Sequence, residues 1–240
     1  MAGLTATADT LMVSECFGAT VQGEGPSLGR RASFIRLGGC NLGCTWCDSA
    51  FTWDADRFDL RTELQRRTVD SLLAEVAGHG TPLVVITGGE PLLHQLQPAW
   101  ERLLTGVAAA GTEIEVETNG TRAPSSVTAR LVTRFNVSPK LSSAGDPEEV
   151  RLRPGAVSVL LATGKAVFKF VCCAPADLEE VTAVCAVLGI PPALTWIMPE
   201  GTTADTVTSR LRDLAGPAIG RGFNLTTRLH IQIWGEERGR

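Results

Sequence analysis

Short apolar runs alternate with amphipathic stretches along the chain, and this alternation predicts a βα protein. Runs of strand length occupy positions 32–37, 83–87, 113–117, 135–137, 166–171, 194–197 and 228–233. Apolar residues recur with the helical period over positions 68–78, 98–110, 176–188 and 204–214. About six strands alternating with helices predict an α/β fold with a parallel sheet, as a partial or complete βα barrel. The chain has no repeat, low-complexity stretch or long linker, so we expect a single domain over residues 1–240.

Four of the predicted strands end in short polar loops punctuated by glycine or proline. These loops are 87–91 (Thr-Gly-Gly-Glu-Pro), 117–121 (Glu-Thr-Asn-Gly-Thr), 138–140 (Ser-Pro-Lys) and 198–201 (Met-Pro-Glu-Gly). Any one of them is consistent with an ordinary turn. In βα barrels, however, the loops at the carboxyl ends of the strands form the rim of the active site. Four in succession therefore predict a functional site at one end of the sheet.

Composition and charge narrow the classes of function. Of 240 residues, 44% are hydrophobic and 20% charged, which is typical of a globular protein. No apolar run approaches the roughly 18 residues of a transmembrane helix, and residues 1–15 lack the pattern of a secretory signal. The net charge of −4 and the lack of a basic block argue against nucleic acid as the main ligand. We expect a cytoplasmic protein.

Cysteine is the most informative residue type. The chain has 7 cysteines, an odd number that argues against a disulfide framework in a cytoplasmic protein. Three of them, Cys40, Cys44 and Cys47, directly follow the predicted strand 32–37 and a Gly-Gly pair. Three others are expected to be small core residues, namely Cys172, Cys173 and Cys185. The clustered three predict metal binding.

The spacing Cys-x3-Cys-x2-Cys suits an iron–sulfur cluster. Thiolates are the soft ligands that such clusters require, and one compact loop can bring three of them to one cube. No fourth cysteine follows at matching spacing, so one iron would stay open to an exogenous ligand. A zinc site with Cys16 as fourth ligand is the alternative, since His79, His94 and His230 show no ligand spacing to the cluster.

Two motifs resemble those of the radical S-adenosylmethionine (SAM) superfamily. Residues 40–47 (Cys-Asn-Leu-Gly-Cys-Thr-Trp-Cys) are similar to its cysteine signature, and residues 88–91 (Gly-Gly-Glu-Pro) to the motif that contacts the SAM amino group. The resemblance implies a [4Fe–4S] cluster whose open iron chelates the amino and carboxylate groups of SAM. It also implies that one electron from the cluster cleaves SAM into methionine and a 5′-deoxyadenosyl radical.

The flanking sequence resembles one family within that superfamily, the 7-carboxy-7-deazaguanine synthases. The similarity runs from about residue 15 to 234 and is carried by segments 17–25, 32–37, 48–54, 84–87, 117–121, 137–140 and 229–235. It implies a Mg²⁺-dependent ring contraction of 6-carboxy-5,6,7,8-tetrahydropterin to 7-carboxy-7-deazaguanine and ammonia, in 7-deazapurine (queuosine-type) biosynthesis. It also implies a homodimer and a flavodoxin- or ferredoxin-type reductant.

The resemblance further implies roles for individual residues. Those implied for substrate binding are Val21, Gln22, Gly23, Arg36 and Thr87, with Arg36 and Glu90 expected to serve catalysis. Those implied to line the SAM side are Trp46, Cys47, Asp48, Gly89, Ser138, Pro139 and Lys140. Ser49 is the implied Mg²⁺ ligand, at a position where the family usually has threonine.

Structural alternatives stay open for several of these residues. They are a plain turn at 22–23, a salt bridge at Arg36, helix caps at Asp48, Ser49 and Glu90, and a solvated side chain at Lys140. Lys169, inside an apolar run, has no assigned role. His230 is equally consistent with a pocket residue and a core histidine.

Two rival functions remain at this point. A small glycyl-radical activating enzyme also uses Cys-x3-Cys-x2-Cys but acts on a partner protein; the 22–25 segment and Ser49 favour a small molecule instead. A metal-binding regulatory module would need a basic nucleic-acid face, which the sequence lacks.

Overall fold

The computed structural model describes residues 9–240. The first eight residues, which belong to the expected domain and to the segment 1–15 in which no secretory signal was predicted, lie outside the described residues. The strands are β1 Thr10–Val21, β2 Arg31–Leu37, β3 Gln65–Thr68, β4 Leu83–Gly88, β5 Glu113–Thr118, β6 Arg134–Val137, β7 Ala166–Cys172, β8 Thr195–Pro199 and β9 Asn224–Leu225. The α-helices are α1 Leu60–Glu63, α2 Val69–His79, α3 Pro98–Ala109, α4 Ser126–Leu131, α5 Glu148–Arg151, α6 Pro154–Ala162, α7 Asp177–Leu188, α8 Ala204–Gly220 and α9 Leu229–Trp234.

All nine strands form one sheet in the order β3-β1-β2-β4-β5-β6-β7-β8-β9. The strands from β2 to β9 run parallel along this order, whereas β1 is antiparallel to both β2 and β3. The open, mostly parallel sheet with connecting helices confirms the predicted partial barrel. Among residues 9–240, no helix is both long and apolar enough to cross a membrane.

The two faces of the sheet differ in chemistry, because successive strand residues point to opposite sides. One face carries fully buried apolar side chains such as Ile35, Ile86 and Phe168, which belong to the main core. The other face turns polar toward the carboxyl ends of the strands. Register places Arg36 beside Thr87, and Glu117 beside Asn136. Polar side chains thus line up inside the barrel at the end where the site was predicted.

One predicted strand is wrong. Positions 228–233 form helix α9 rather than a strand, although Leu229, Ile231 and Ile233 alternate as strand residues do. Only Ile231 is buried, whereas Ile233 is 53% exposed, so the alternation does not mark a half-buried strand. The short β9 already occupies the edge beside β8. The long strand β1 was not predicted.

Of the three cysteines predicted to be core residues, two are buried and one is exposed. Cys172 and Cys185 are buried, as predicted. Cys173 is exposed, because β7 ends at Cys172 and the chain leaves the sheet there. The prediction that Cys173 is a core residue is therefore wrong.

Candidate active site

A cavity of about 450 Å³ opens at the carboxyl ends of the parallel strands. Most of the residues implied by sequence line it, namely Val21, Gln22, Gly23, Arg36, Cys40, Cys44, Trp46, Cys47, Asp48, Ser49, Thr87, Gly89, Ser138 and Lys140. Glu90 and Pro139 do not line it among the described residues; both are buried behind its wall.

The three clustered cysteines contribute free thiols to one wall of this cavity. Two N–H groups point at their sulfurs: Trp53 Nε1 lies 3.4 Å from Cys47 Sγ, and the Leu42 amide 3.5 Å from Cys40 Sγ. Burial raises the pKa of Cys44 to about 11, against a partial opposing effect of Lys140. The Cys44 thiol is therefore protonated until a metal displaces the proton.

The arrangement of the thiols fits a cluster better than a single zinc ion. Within residues 9–240, no three His, Cys, Asp or Glu side chains converge as one metal ion would require. Zinc draws its sulfur ligands to about 2.3 Å, whereas a cube takes each thiolate on a separate iron. Cys16, the proposed fourth zinc ligand, does not line the cavity; it lies beside Glu75 and Arg67. Three soft donors with N–H groups aimed at sulfur suit an iron–sulfur cluster.

Interlocked glycines hold the cysteine loop against the loop after β4. The Gly89 amide donates to the Leu37 carbonyl at 3.2 Å, and the Glu90 amide donates to the Gly39 carbonyl at 2.8 Å. A Cβ on Gly89 would lie 2.1 Å from the Gly39 oxygen, so only glycine allows this approach. His94 supports the same loop from below by donating from Nε2 to the Gly38 carbonyl at 2.9 Å.

The Glu90 side chain does not line the cavity but forms hydrogen bonds with the loops after β4 and β5. Its fully buried carboxylate accepts hydrogen bonds from the Leu92 amide (2.9 Å), the Thr118 hydroxyl (2.8 Å) and the Asn119 amide (2.7 Å). Burial raises the pKa of Glu90 above its ordinary value, although these bonds oppose the shift. The bond to Leu92 caps the short helix Pro91–Leu93. In this structure Glu90 connects the loops after β4 and β5, and the catalytic role expected for it stays a prediction.

The wall opposite the thiols is strongly charged. Glu24 forms ion pairs with Lys169 and, at 3.3 Å, with Arg228, and His230 Nε2 lies 3.9 Å from Glu24. Burial alone would raise the pKa of Glu24, but the positive charges of Lys169 and Arg228 outweigh it and hold that pKa below its ordinary value. Lys169 and His230, which had no assigned role, both line the cavity.

A second polar group on this side centres on Glu117. Its carboxylate accepts from the Thr87 hydroxyl at 2.8 Å and from Gln22 Nε2 at 3.2 Å. Gly23 packs so closely on the His230 ring that a Cβ would lie 2.1 Å from Nδ1. The Leu229 amide donates to the Gly23 carbonyl at 2.9 Å. The loop after β1 therefore packs against and hydrogen-bonds to helix α9.

Sequence reasoning missed several cavity residues as site candidates. Among them are Glu24, Glu117, Asn136 and Arg228. A charged or amide residue inside an apolar strand was a usable signal for Glu117 and Asn136, because such a group needs a buried partner. Arg228 had no such signal, since its segment was read as a strand.

The Arg36 guanidinium already has a carboxylate partner, whereas the Ser49 hydroxyl has no partner in a helix cap. Arg36 Nε donates to Glu15 at 2.8 Å, and Glu15 also accepts from Arg238 at 2.9 Å. Ser49 occupies the N-cap position of the short helix Ala50–Thr52, but its side chain makes no cap bond. The Ser49 hydroxyl lies 3.6 Å from Cys47 Sγ and lines the cavity, so it is available to a ligand.

A partial βα barrel with three free thiols in the loop after its first parallel strand defines a radical SAM enzyme, which carries a [4Fe–4S] cluster and binds SAM. The sequence profile of the Radical SAM superfamily matches residues 34–140. The 7-carboxy-7-deazaguanine synthase of Pyrobaculum aerophilum is 37% identical over 224 residues, covering 92% of this chain and 94% of that protein. This chain belongs to the 7-carboxy-7-deazaguanine synthase family.

Two further comparisons agree with this membership. The 7-carboxy-7-deazaguanine synthase of Rhodopirellula baltica is 32% identical, covering 98% of this chain and 90% of that protein. The crystal structure of QueE from Escherichia coli matches with a TM-score of 0.68 and 27% identity, covering 96% of this chain and 100% of that one.

Proposed function

We propose that this enzyme converts 6-carboxy-5,6,7,8-tetrahydropterin to 7-carboxy-7-deazaguanine and ammonia, with Mg²⁺, in 7-deazapurine biosynthesis. One observation supports the substrate most directly. The cavity that holds the three thiols is also lined by the ion-paired side chains Glu24, Lys169 and Arg228, next to apolar side chains such as Phe34 and Met198. Such a wall suits a flat, polar heterocycle that bears a carboxylate.

The cofactor side of the cavity is formed by the three thiols and the loops around them. The three thiols would hold the cluster, which together with SAM would supply radical chemistry for hydrogen abstraction. Trp46, Asp48, Gly89 and Ser138 line this side of the cavity. Lys140 holds its ammonium group 5.5 Å from the centre of the Trp46 ring and 3.1 Å from the Ser138 hydroxyl. The chain's task here is to orient the ligand and exclude water.

The substrate side offers complementary groups for each part of a carboxypterin. Arg36 presents a planar guanidinium, which binds a carboxylate through two hydrogen bonds. Glu117, Thr87 and Gln22 form a hydrogen-bonded set that suits the N–H donors of the aminopyrimidine edge. Val21 and Gly23 add backbone groups beside it.

Mg²⁺ is proposed to bind at Ser49. Mg²⁺ prefers oxygen ligands and commonly uses few protein groups, with substrate and water oxygens filling its shell. The Ser49 hydroxyl makes no cap bond and lines the cavity, so it would supply one oxygen ligand to the ion.

The wider setting is proposed as follows. The chain forms a single domain and a homodimer, receives its electron from a flavodoxin- or ferredoxin-type protein, and works in the cytoplasm. All 7 cysteines are free thiols, which agrees with a reducing compartment.

The decisive experiment is anaerobic reconstitution with iron and sulfide, followed by addition of dithionite, SAM, Mg²⁺ and the carboxytetrahydropterin. We expect the deazaguanine product without net consumption of SAM. Cys40→Ser should lose both the cluster absorbance and the product, whereas the matched control Cys173→Ser should keep both. Cleavage of SAM with the pterin untouched would refute the substrate and favour the glycyl-radical alternative.

A further inference from the structure

A second cavity, of about 510 Å³, lies behind the cysteine loop. Asn41 of that loop and Thr121 form one side, Arg122 and Arg153 flank it, and the first turn of α6 closes it. None of these residues lines the active-site cavity described above. The two cavities are therefore lined by separate sets of residues.

This second cavity lies next to a residue expected to bind the cluster, Cys40. Asn41 follows Cys40 in the chain, and its Nδ2 donates to the Thr121 hydroxyl at 2.9 Å. Asn119 Nδ2 lies 3.1 Å from Asn41 Oδ1 and 4.0 Å from Cys40 Sγ. One layer of side chains thus separates the second cavity from the thiol of Cys40.

Its two charged residues are both arginines and both unpaired. Arg122 and Arg153 are exposed, and neither forms a salt bridge or a side-chain hydrogen bond within residues 9–240. By contrast, Arg36, Arg228 and Arg238 around the active site are all paired with acids. Two free guanidinium groups on a protein of net charge −4 form a local positive patch. Such a patch attracts an acidic surface.

We propose that this patch docks an acidic one-electron donor protein. The inference rests on the proposed function, which needs an external electron for each reduction of the cluster. One electron would pass from the reduced donor to the cluster behind Cys40, leaving the donor oxidised by one electron, and no bond would form or break. Charge complementarity speeds such encounters, and redox partners use small, transient interfaces. The negative net charge of the chain argues against nucleic acid as the occupant.

The test compares the double variant R122E/R153E with the matched control R212E. Arg212 is an exposed arginine on α8, also without a salt bridge among residues 9–240. The reconstituted proteins are mixed anaerobically with reduced flavodoxin or with reduced ferredoxin, and cluster reduction is followed by electron paramagnetic resonance without any pterin. The donor that reduces the wild type faster is used for the comparison. At low salt we expect this donor to reduce the double variant at least about tenfold more slowly than the wild type. R212E should match the wild type.

Dithionite provides the internal control, because a small reductant does not need a docking surface. The double variant should keep its iron content and its dithionite-driven cleavage of SAM. An unchanged rate with the protein donors would overturn the proposal, as would a slowdown that dithionite shares. A wild type that dithionite reduces but neither protein donor reduces would also overturn it. Failure of the proposed function looks different: the cluster is reduced and SAM is cleaved, but the pterin stays intact.

Discussion

Lys169 on β7 and Glu24, 145 residues earlier in the loop after β1, form a buried ion pair in the cavity wall. Arg228 shares the same carboxylate at 3.3 Å. The pair joins a central strand of the sheet to the segment before β2, and Arg228 adds the start of α9. One carboxylate therefore neutralises two cations from distant parts of the chain.

The shared charge predicts an asymmetry between two substitutions. Glu24→Gln should lower the free energy of unfolding by about 3–5 kcal/mol, because buried Lys169 loses its ion pair and Arg228 keeps only its salt bridge to Asp48. Lys169→Met should cost less, about 1–3 kcal/mol, since Arg228 still neutralises Glu24. Urea denaturation of the cluster-free protein under reducing conditions measures both values. Equal losses, or the reverse order, would contradict the shared pair.

The partner of Arg36 leads to a prediction about substrate affinity. Arg36→Lys should raise the KM for the carboxytetrahydropterin by about tenfold, because an ammonium group cannot make the two parallel bonds of a guanidinium. The inhibition constant of tetrahydropterin without the carboxylate should not change. If both ligands weaken together, Arg36 acts only through its salt bridge to Glu15. Glu15→Gln serves as a control, since it removes that salt bridge and leaves the guanidinium in place.

The free hydroxyl of Ser49 predicts a change in metal response. Ser49→Ala should raise the Mg²⁺ concentration for half-maximal activity by about tenfold, the usual scale for loss of a group at a metal site. Ser49→Thr keeps the oxygen and should behave as the wild type. Both variants should retain the iron content of the wild type. An unchanged Mg²⁺ response in Ser49→Ala would remove this residue from the metal site.

His94 predicts a pH dependence of stability. Burial lowers the pKa of His94 below its ordinary value of 6.5, and the bond to the Gly38 carbonyl offsets this only in part. The unfolded chain therefore binds a proton at a higher pH than the folded one, so stability is complete above about pH 6.5 and falls as the pH drops toward the folded pKa. His94→Gln should reduce this dependence.

The measurement is the free energy of unfolding above and below that pH in both proteins. Burial also lowers the pKa of His230, so the wild type and His94→Gln will share part of the slope. The difference between the two slopes isolates His94. Identical slopes would show that His94 titrates alike in the folded and unfolded states.

The local pattern of the chain was enough to predict the parallel strands β2 and β4 to β8 and the loops at their carboxyl ends, but not β1, β3 or β9. The predicted strand at 83–87 and helix at 98–110 closely match β4 and α3, because a buried strand and an amphipathic helix each leave a clear periodicity. The cysteine spacing likewise predicted a loop with three thiols, since Cys40, Cys44 and Cys47 lie within eight consecutive residues. Membership of the family agrees with that prediction.

Pairings between distant residues were decided by the tertiary structure alone. Nothing local distinguishes Glu24 as the partner of Lys169, or indicates that a helix rather than a strand follows Arg228. Glu90 shows the same limit, because nothing in its motif indicates that three hydrogen-bond donors, two of them from the end of β5 and the loop after it, surround its buried carboxylate. Backbone periodicity depends on neighbours within a few residues, whereas the partner of a buried charge depends on which segments the sheet brings together.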